Sequence, residues 1–146
     1  MNNVDYAHLV EQLPQQPPFR FVERIDHYES GKSLLASIRL QSVYDDLRGL
    51  PVFPEVCVME GLAQSAVLLV QLETGPLLEG EAPILGSLFM RKSGPAAWHE
   101  ELKYEVKPIR LLTSQARIEA RAYASGRIVA EGELSLAKIQ TMTKGG

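Results

Sequence analysis

The sequence predicts an α+β fold in which an antiparallel sheet wraps around one long helix. Three observations carry this. The stretch from Pro51 to Thr74 is the one long helix the chain offers, and it is apolar nearly all round. The second half of the chain alternates apolar and charged residues in strand-like runs. Short turn signals, Glu29-Ser30-Gly31-Lys32 and Ser125-Gly126, separate neighbouring runs and predict hairpins.

The helix is bounded by chemistry that suits its ends. Pro54 fits a first helical turn, where its missing N–H would have no intrahelical partner. Glu55 stands in the same turn, where the helix dipole favours negative charge. Gly75-Pro76 ends the helix, since glycine accepts a left-handed cap and proline cannot continue the ladder. Between them lie Val56, Val58, Met59, Leu62, Ala63 and the run Ala66 to Val70. A surface helix would show one apolar stripe, so this one is expected to be buried on most sides. Glu60 and Gln64 interrupt it one turn apart on one face. Either backbone partners satisfy them, or their face lies near the surface, or they form an active-site wall.

The other elements follow in order. Val4 to Gln12 predicts a short helix with Leu9 and Val10 turned inward, broken by the proline-rich run from Leu13 to Pro18. Phe19 to Tyr28 predicts a strand, and Ser33 to Leu40 its hairpin mate. Gln41 to Leu50 is expected to be polar loop. After the helix, Pro83 to Lys92 predicts a strand, Ser93 to Pro95 a turn, and Glu100 to Ile109 a half-buried strand. Thr113 to Ala124 and Ile128 to Ile139 complete the set. Residues 1–140 are expected to form a single domain, with 141–146 as a frayed tail.

Bulk composition narrows the function classes. At 146 residues, 45% hydrophobic and 23% charged, the chain can bury a core and is not of disordered composition. A net charge of −3 with both signs interspersed argues against a nucleic-acid partner. The single cysteine, Cys57, excludes an intramolecular disulfide; its apolar setting favours packing over nucleophilic work. Three scattered histidines and one cysteine make no metal-ligand pattern. Gly31-Lys32-Ser33 lacks the earlier glycine of a phosphate loop. The amino terminus has no basic region followed by an apolar core, and no apolar run is long enough to predict a membrane span, so a cytoplasmic location is expected.

Two motifs carry a family resemblance. Leu13-Pro14-Gln15-Gln16-Pro17-Pro18-Phe19, followed by Val22-Glu23-Arg24-Ile25, matches a pattern L-P-[HQ]-x-x-P-F then V-D-R-V. The run from Asp45 to Val56, ending in Glu60-Gly61-Leu62-Ala63-Gln64, matches G-H-F-P-G-x-P-[IV]-[FM]-P-G-V followed by E-[AG]-[LM]-A-Q. Arg91, Pro95 and Leu102 fall where a third segment, K-x-R-F-x-x-P-V-x-P-G-D-x-L, would place them. The chain thus resembles the hot-dog-fold 3-hydroxyacyl-acyl carrier protein dehydratases of the FabZ type. The resemblance implies a dimer with sheets paired edge to edge, and acyl tunnels at the interface. It also implies active sites that take groups from both subunits. It implies no cofactor, the substrate being carried on the phosphopantetheine of an acyl carrier protein or CoA.

In that family a histidine removes the α-proton of a 3-hydroxyacyl thioester. A carboxylic acid on the partner subunit's helix helps the hydroxyl leave, and backbone N–H groups near the helix start polarise the carbonyl. By resemblance, Glu60 is the helix acid and Gln64 the glutamine one turn later. Asp46 stands where the histidine is expected, and Asp45-Asp46-Leu47-Arg48 replaces the whole G-H-F-P segment. A carboxylate is a weaker base than imidazole by roughly two pK units, so Asp46 would need burial to serve. Asp45 would favour that and Arg48 oppose it. His8, His27 and His99 are expected at the surface or at a turn away from the acid.

The resemblance further implies substrate contacts from Gly49, Pro51, Val52 and Glu55 around the helix start, with Glu55 replacing a family glycine. Phe53, Leu88 and Phe89 are expected to line the tunnel, and Arg91 and Lys92, with Arg110, to dock an acidic acyl carrier protein. Three functions are consistent with these residues. One is a dehydratase subunit whose site is completed by a histidine-bearing partner chain, in fatty acid or polyketide/aryl-polyene biosynthesis. The others are a homodimeric thioesterase using Glu60 or Asp46, and a non-catalytic acyl-thioester binding protein.

Overall fold

The structure is a computed structural model that describes residues 6–15, 19–47 and 49–140. A six-stranded antiparallel sheet curls around one helix. Its elements in chain order are α1 (Tyr6–Glu11), β1 (Arg24–Glu29), β2 (Ser33–Arg39), a 3-10 turn (Leu40–Val43), α2 (Tyr44–Leu47) and α3 (Glu55–Thr74). Four long strands follow: β3 (Glu81–Lys92), β4 (Glu101–Leu111), β5 (Gln115–Ala124) and β6 (Arg127–Gln140). The strand order across the sheet is β1-β2-β4-β5-β6-β3, so β1 and β3 are its two edges. This is the hot-dog arrangement expected from the sequence.

Helix α3 is the filling. Leu62, Ala66, Leu68 and Leu69 are fully buried, and Val58, Val67 and Val70 nearly so. Its length and apolarity would suit a membrane span, but 72% of its most apolar window is buried inside this chain, which makes it a core helix. Opposite it the strands present their inward residues with period two: Leu34, Ala36 and Ile38 on β2, Leu102, Tyr104 and Val106 on β4. On β5 the inward set is Ala116, Ile118, Ala120, Ala122 and Ala124, and its four alanines let helix and sheet approach closely. The solvent face carries cross-strand ion pairs, among them Arg39–Glu23, Arg117–Glu133 and Arg121–Glu131.

Several boundaries differ from those read off the sequence, for physical reasons. The first strand begins at Arg24 rather than Phe19. Phe19 and Phe21 give their backbone groups to side chains of α3 and β4 instead of a ladder partner. The expected loop from Gln41 to Leu50 opens with two short helical turns, seeded where Leu40 and Val43 bury their side chains. Pro54 is extended (φ −64°, ψ 143°) and caps the helix rather than lying in its first turn; the N–H groups of Cys57 and Val58 reach back to its carbonyl. The first helix is confined to Tyr6–Glu11 among the described residues, with Val10 buried and Leu9 packed against the core. Residues 141–146, read as a tail, lie outside the described residues, as do Arg48 and residues 16–18 of the first motif.

The turns follow the expected chemistry. Ser125 and Gly126 both have positive φ (50° and 79°), the geometry of a tight two-residue hairpin. Gly75 closes α3 with φ 98° and donates its N–H to the Gln71 carbonyl at 2.9 Å.

One feature of the sheet bears on function. Edge strand β3 is twelve residues long and pairs only with β6. It leaves Ile84, Leu85, Leu88 and Phe89 exposed, Phe89 by 78%. A long apolar edge with open backbone groups is a template for pairing with another chain.

Candidate active site

Glu60 and Gln64 lie one turn apart on the face of α3 that looks toward Gln15, Phe19 and Phe21. Gln64 is buried and fully used. Its Oε1 accepts the N–H of Phe21 at 2.7 Å, and its Nε2 donates to the carbonyl of Phe19 at 2.9 Å. Of the readings left open by the sequence, satisfaction by backbone partners holds for Gln64. Glu60 differs. It is half-buried, and among the described residues its Oε1 receives two long amide contacts, from Gln64 Nε2 at 3.3 Å and Gln15 Nε2 at 3.5 Å.

The floor beneath this pair is rigid. Tyr104, fully buried on β4, donates its hydroxyl to the carbonyl of Phe21 at 2.8 Å. Burial holds the Tyr104 phenol well above its ordinary pKa, so it stays a donor. Gly61 gives it room. Cys57, one turn before Gly61, is buried; burial first, and the nearby Glu60 second, push its thiol up, which keeps it a packing residue.

A second cluster forms at the helix start. Val52, Phe53, Glu55 and Lys92 border a cavity of about 130 Å³ together with Val58 and Met59. The fully buried Phe53 donates its N–H to the Ala96 carbonyl at 3.1 Å, which ties the helix entry to the 94–96 turn. Glu55 is ion-paired with Lys92, so this glutamate reaches across to the end of β3. Gly49 (φ 99°) and Pro51 are exposed in the loop leading in.

The remaining predicted residues are spread out. Asp46 is exposed on α2 and borders a groove of about 350 Å³ with Val10, Arg20, Val22 and Ile38. No hydrogen bond joins it to Glu60 among the described residues, and the burial a carboxylate base would need is not supplied within one chain. On β3, Leu88 sits opposite Leu134, whose side chain is in the core, whereas Phe89 sits opposite Glu133 on the ion-paired outer face. Arg91 is exposed opposite Glu131, and Lys92 is engaged by Glu55. His8, His27 and His99 are all exposed.

With this geometry in hand, comparison with known proteins decides the family. The 3-hydroxyacyl-[acyl-carrier-protein] dehydratase FabZ of Proteus mirabilis is 30% identical over 138 residues, which cover 89% of this chain and 90% of that protein. The chain belongs to the FabZ family. The FabZ of Haemophilus ducreyi is 27% identical over 143 residues, covering 92% of this chain and 91% of its own. No family model matches the chain. Among solved structures, the dehydratase heterocomplex ApeI:P of Xenorhabdus doucetiae aligns with a TM-score of 0.74 at 12% identity, over 90% of this chain and 91% of that one. A Pseudomonas aeruginosa thioesterase aligns at 0.73 and 11% identity, over 95% and 96%. At such identities these two likenesses concern the fold alone.

As a FabZ-family site, the cluster has members that motif reading did not single out. Gln15 reaches Glu60 from across the chain, and the only available signal was its place in the L-P-[HQ] motif. Trp98 packs edge-on against Tyr44 and Phe53, with ring centroids 5.2 and 5.8 Å away. Its Nε1 donates to the Leu50 carbonyl at 3.0 Å, which pins the loop between Asp46 and the helix. Nothing in the spacing of Trp98 hints at this, because both partners are about fifty residues distant in sequence.

Proposed function

We propose that this chain is a dehydratase subunit of a hot-dog pair, in which Glu60 and Gln64 meet a histidine supplied by a different chain. The observation that carries the reading is the state of Glu60. Its carboxylate is set on the central helix beside a fully engaged Gln64, yet His8, His27 and His99 are exposed and no hydrogen bond joins a histidine to it among the described residues. Asp46 replaces the family histidine and is itself exposed. An acid held in family form without a base fits one half of a site. The long open edge of β3 offers the surface on which the other half would assemble. The similar fold in a dehydratase heterocomplex supports pairing of unlike chains.

In this reading the substrate is a 3-hydroxyacyl thioester on the phosphopantetheine arm of an acyl carrier protein or CoA, with no further cofactor. The partner's imidazole takes the α-proton and Glu60 protonates the departing hydroxyl. Backbone N–H groups around Val52 and Glu55 receive the carbonyl, Phe53 being tied to Ala96, and Leu88 lines the acyl tunnel. Gly49 and Pro51 shape the entry, and Phe89 lies at the outer rim. Arg91 contributes to carrier-protein docking, and Lys92 does so when released from Glu55. The chain works in the cytoplasm, in fatty acid or polyketide/aryl-polyene biosynthesis, with residues 1–140 as its single domain.

The experiment is co-expression with a histidine-bearing FabZ-type chain, followed by assay of 3-hydroxyacyl-carrier thioester dehydration. The complex is expected to turn over, Glu60→Gln to lower its rate by a factor on the order of 100 to 10,000, and Asp46→Asn to leave it unchanged. Full dehydration by the purified chain alone, lost in Asp46→Asn, would overturn the reading. A hydrolytic second reading draws on the same half-buried Glu60 as a carboxylate base or nucleophile, as in thioesterases of similar fold. Thiol release from a saturated acyl thioester, lost in Glu60→Gln, would establish that one instead.

A further inference from the structure

The geometry points to Gln15 as an additional residue of this site: its amide nitrogen orients Glu60, and its amide oxygen accepts the hydrogen of the substrate's 3-hydroxyl. This rests on the dehydratase reading above and adds to it a contact that distinguishes hydroxylated from saturated acyl chains.

Hydrogen bonds from Arg20 hold the backbone at Gln15. The residue follows α1, and Arg20 donates Nε–H to the Gln15 carbonyl at 3.1 Å and a second N–H to the Glu11 carbonyl at 3.0 Å. The side chain then points at α3, with Nε2 3.5 Å from Glu60 Oε1. Gln64 Nε2 approaches the same oxygen at 3.3 Å. Two amide donors on one carboxylate oxygen define how Gln15 is turned, since the reversed amide would set its oxygen against the carboxylate. The contact is long, as hydrogen bonds in unliganded sites often are.

That orientation leaves Gln15 Oε1 buried and without a hydrogen-bond partner among the described residues. Buried acceptors are rarely left so, because removal from water is uncompensated. Gln64 cannot supply the donor, since both ends of its amide are engaged with Phe19 and Phe21. Neither can the Tyr104 hydroxyl, which is given to the Phe21 carbonyl. No donor among the described residues reaches this oxygen, and we assign the place to a group of the bound substrate. A hydroxyl matches what is offered: it has one hydrogen to give to Gln15 Oε1 and lone pairs to take a proton from the adjacent Glu60.

The step balances. The partner chain's base takes the proton from the α-carbon, and that electron pair becomes the new carbon–carbon double bond. The C3–O bond breaks with its electrons on oxygen. Glu60 delivers a proton to that oxygen, and the group departs as water, one hydrogen from Glu60 and the other, its own, directed at Gln15 Oε1. Glu60 is left as a carboxylate facing the two amide donors of Gln15 and Gln64. Exchange with solvent returns the base's proton and reloads Glu60. Gln15 thus favours departure of water and orients the acid, without itself exchanging a proton.

The test compares two non-hydrolysable pantetheine amides of equal chain length, one 3-hydroxylated and one saturated. Binding is measured by calorimetry to the co-expressed complex, with wild-type chain and with Gln15→Leu. Wild type is expected to prefer the hydroxylated ligand by about fivefold, the ordinary worth of one neutral hydrogen bond. Gln15→Leu is expected to lose that preference while binding the saturated ligand as before. An unchanged preference in a folded Gln15→Leu complex would overturn the assignment. A companion measurement compares kcat and KM of the complex on a 3-hydroxyacyl-carrier thioester, where Gln15→Leu is expected to lower kcat by more than it raises KM. An unchanged kcat would overturn the orienting role. If neither ligand binds wild type, the dehydratase reading fails and the hydroxyl contact fails with it.

Discussion

Gly61 lies directly beneath the phenol of Tyr104: a methyl group built on Gly61 would stand 2.1 Å from the Tyr104 hydroxyl oxygen and 2.3 Å from the ring carbon that bears it. Only hydrogen fits between helix α3 and strand β4 at this point, immediately after Glu60. The same hydroxyl holds the Phe21 carbonyl, and the Phe21 N–H is held by Gln64. One close approach therefore sets the height of the acid, the glutamine and the covering segment together.

From this contact, Gly61→Ala is expected to destabilise the fold by about 1–3 kcal/mol, the range for overpacking a tight core. A lowered denaturant midpoint with an unchanged slope would check it. Tyr104→Phe relieves little of the clash, since the ring carbon remains, and separately costs about 1 kcal/mol by leaving the Phe21 carbonyl unpaired.

Gln64→Ala removes both hydrogen bonds to the Phe19–Phe21 backbone. The expected result is a loss of about 2 kcal/mol in stability, since a buried N–H and a carbonyl lose their partners. Hydrogen exchange should accelerate selectively at Phe21, with α3 and β4 amides protected as before. Equal acceleration throughout the sheet would count against the local role.

Glu100 sits almost fully buried behind the turn that carries Trp98. It accepts the N–H of Ala97 at 2.9 Å, the hydroxyl of Ser125 at 2.5 Å and two guanidinium contacts from Arg127 at 2.6 and 2.7 Å. Arg127 first, then Ser125 and the Ala97 N–H, hold its carboxyl well below the usual carboxylate range. A depressed folded value means that the stabilisation is complete above the unfolded value of about 4.3 and is lost as pH falls toward the folded one. Glu100→Gln is expected to destabilise the fold at neutral pH by weakening the acceptor that serves Arg127, Ser125 and the Ala97 N–H. Its thermal midpoint should fall less steeply than wild type between about pH 5 and pH 2. Parallel curves would refute the assignment.

Edge strand β3 supplies the fourth prediction. Leu88→Asp places a charge at a position opposite core residue Leu134, on the strand whose outer edge is open. Association with a second hot-dog chain, followed by sedimentation, is expected to weaken by at least tenfold. The outer-face substitution Lys103→Glu, on β4, should leave association unchanged.

The sequence alone determined the central helix, the strands with their two tight hairpins, and the placing of Glu60 and Gln64 one turn apart on that helix. These are local: a period of apolar residues, a proline or glycine at a boundary, and a motif within one helical turn. Cys57 was legible as packing for the same reason, since its neighbours in sequence are its neighbours in the core. Tertiary structure alone decided where Phe19 to Glu23 sends its backbone, because the competing partners, Gln64 and Tyr104, come from elements 43 and 83 residues away. It likewise decided that Gln15 meets Glu60, that Trp98 braces the loop after Asp46, and that Lys92 is taken by Glu55. Each of these contacts costs nothing in local propensity and leaves no periodic trace. They exist because the sheet, in curling around α3, brings distant ends of the chain to one face.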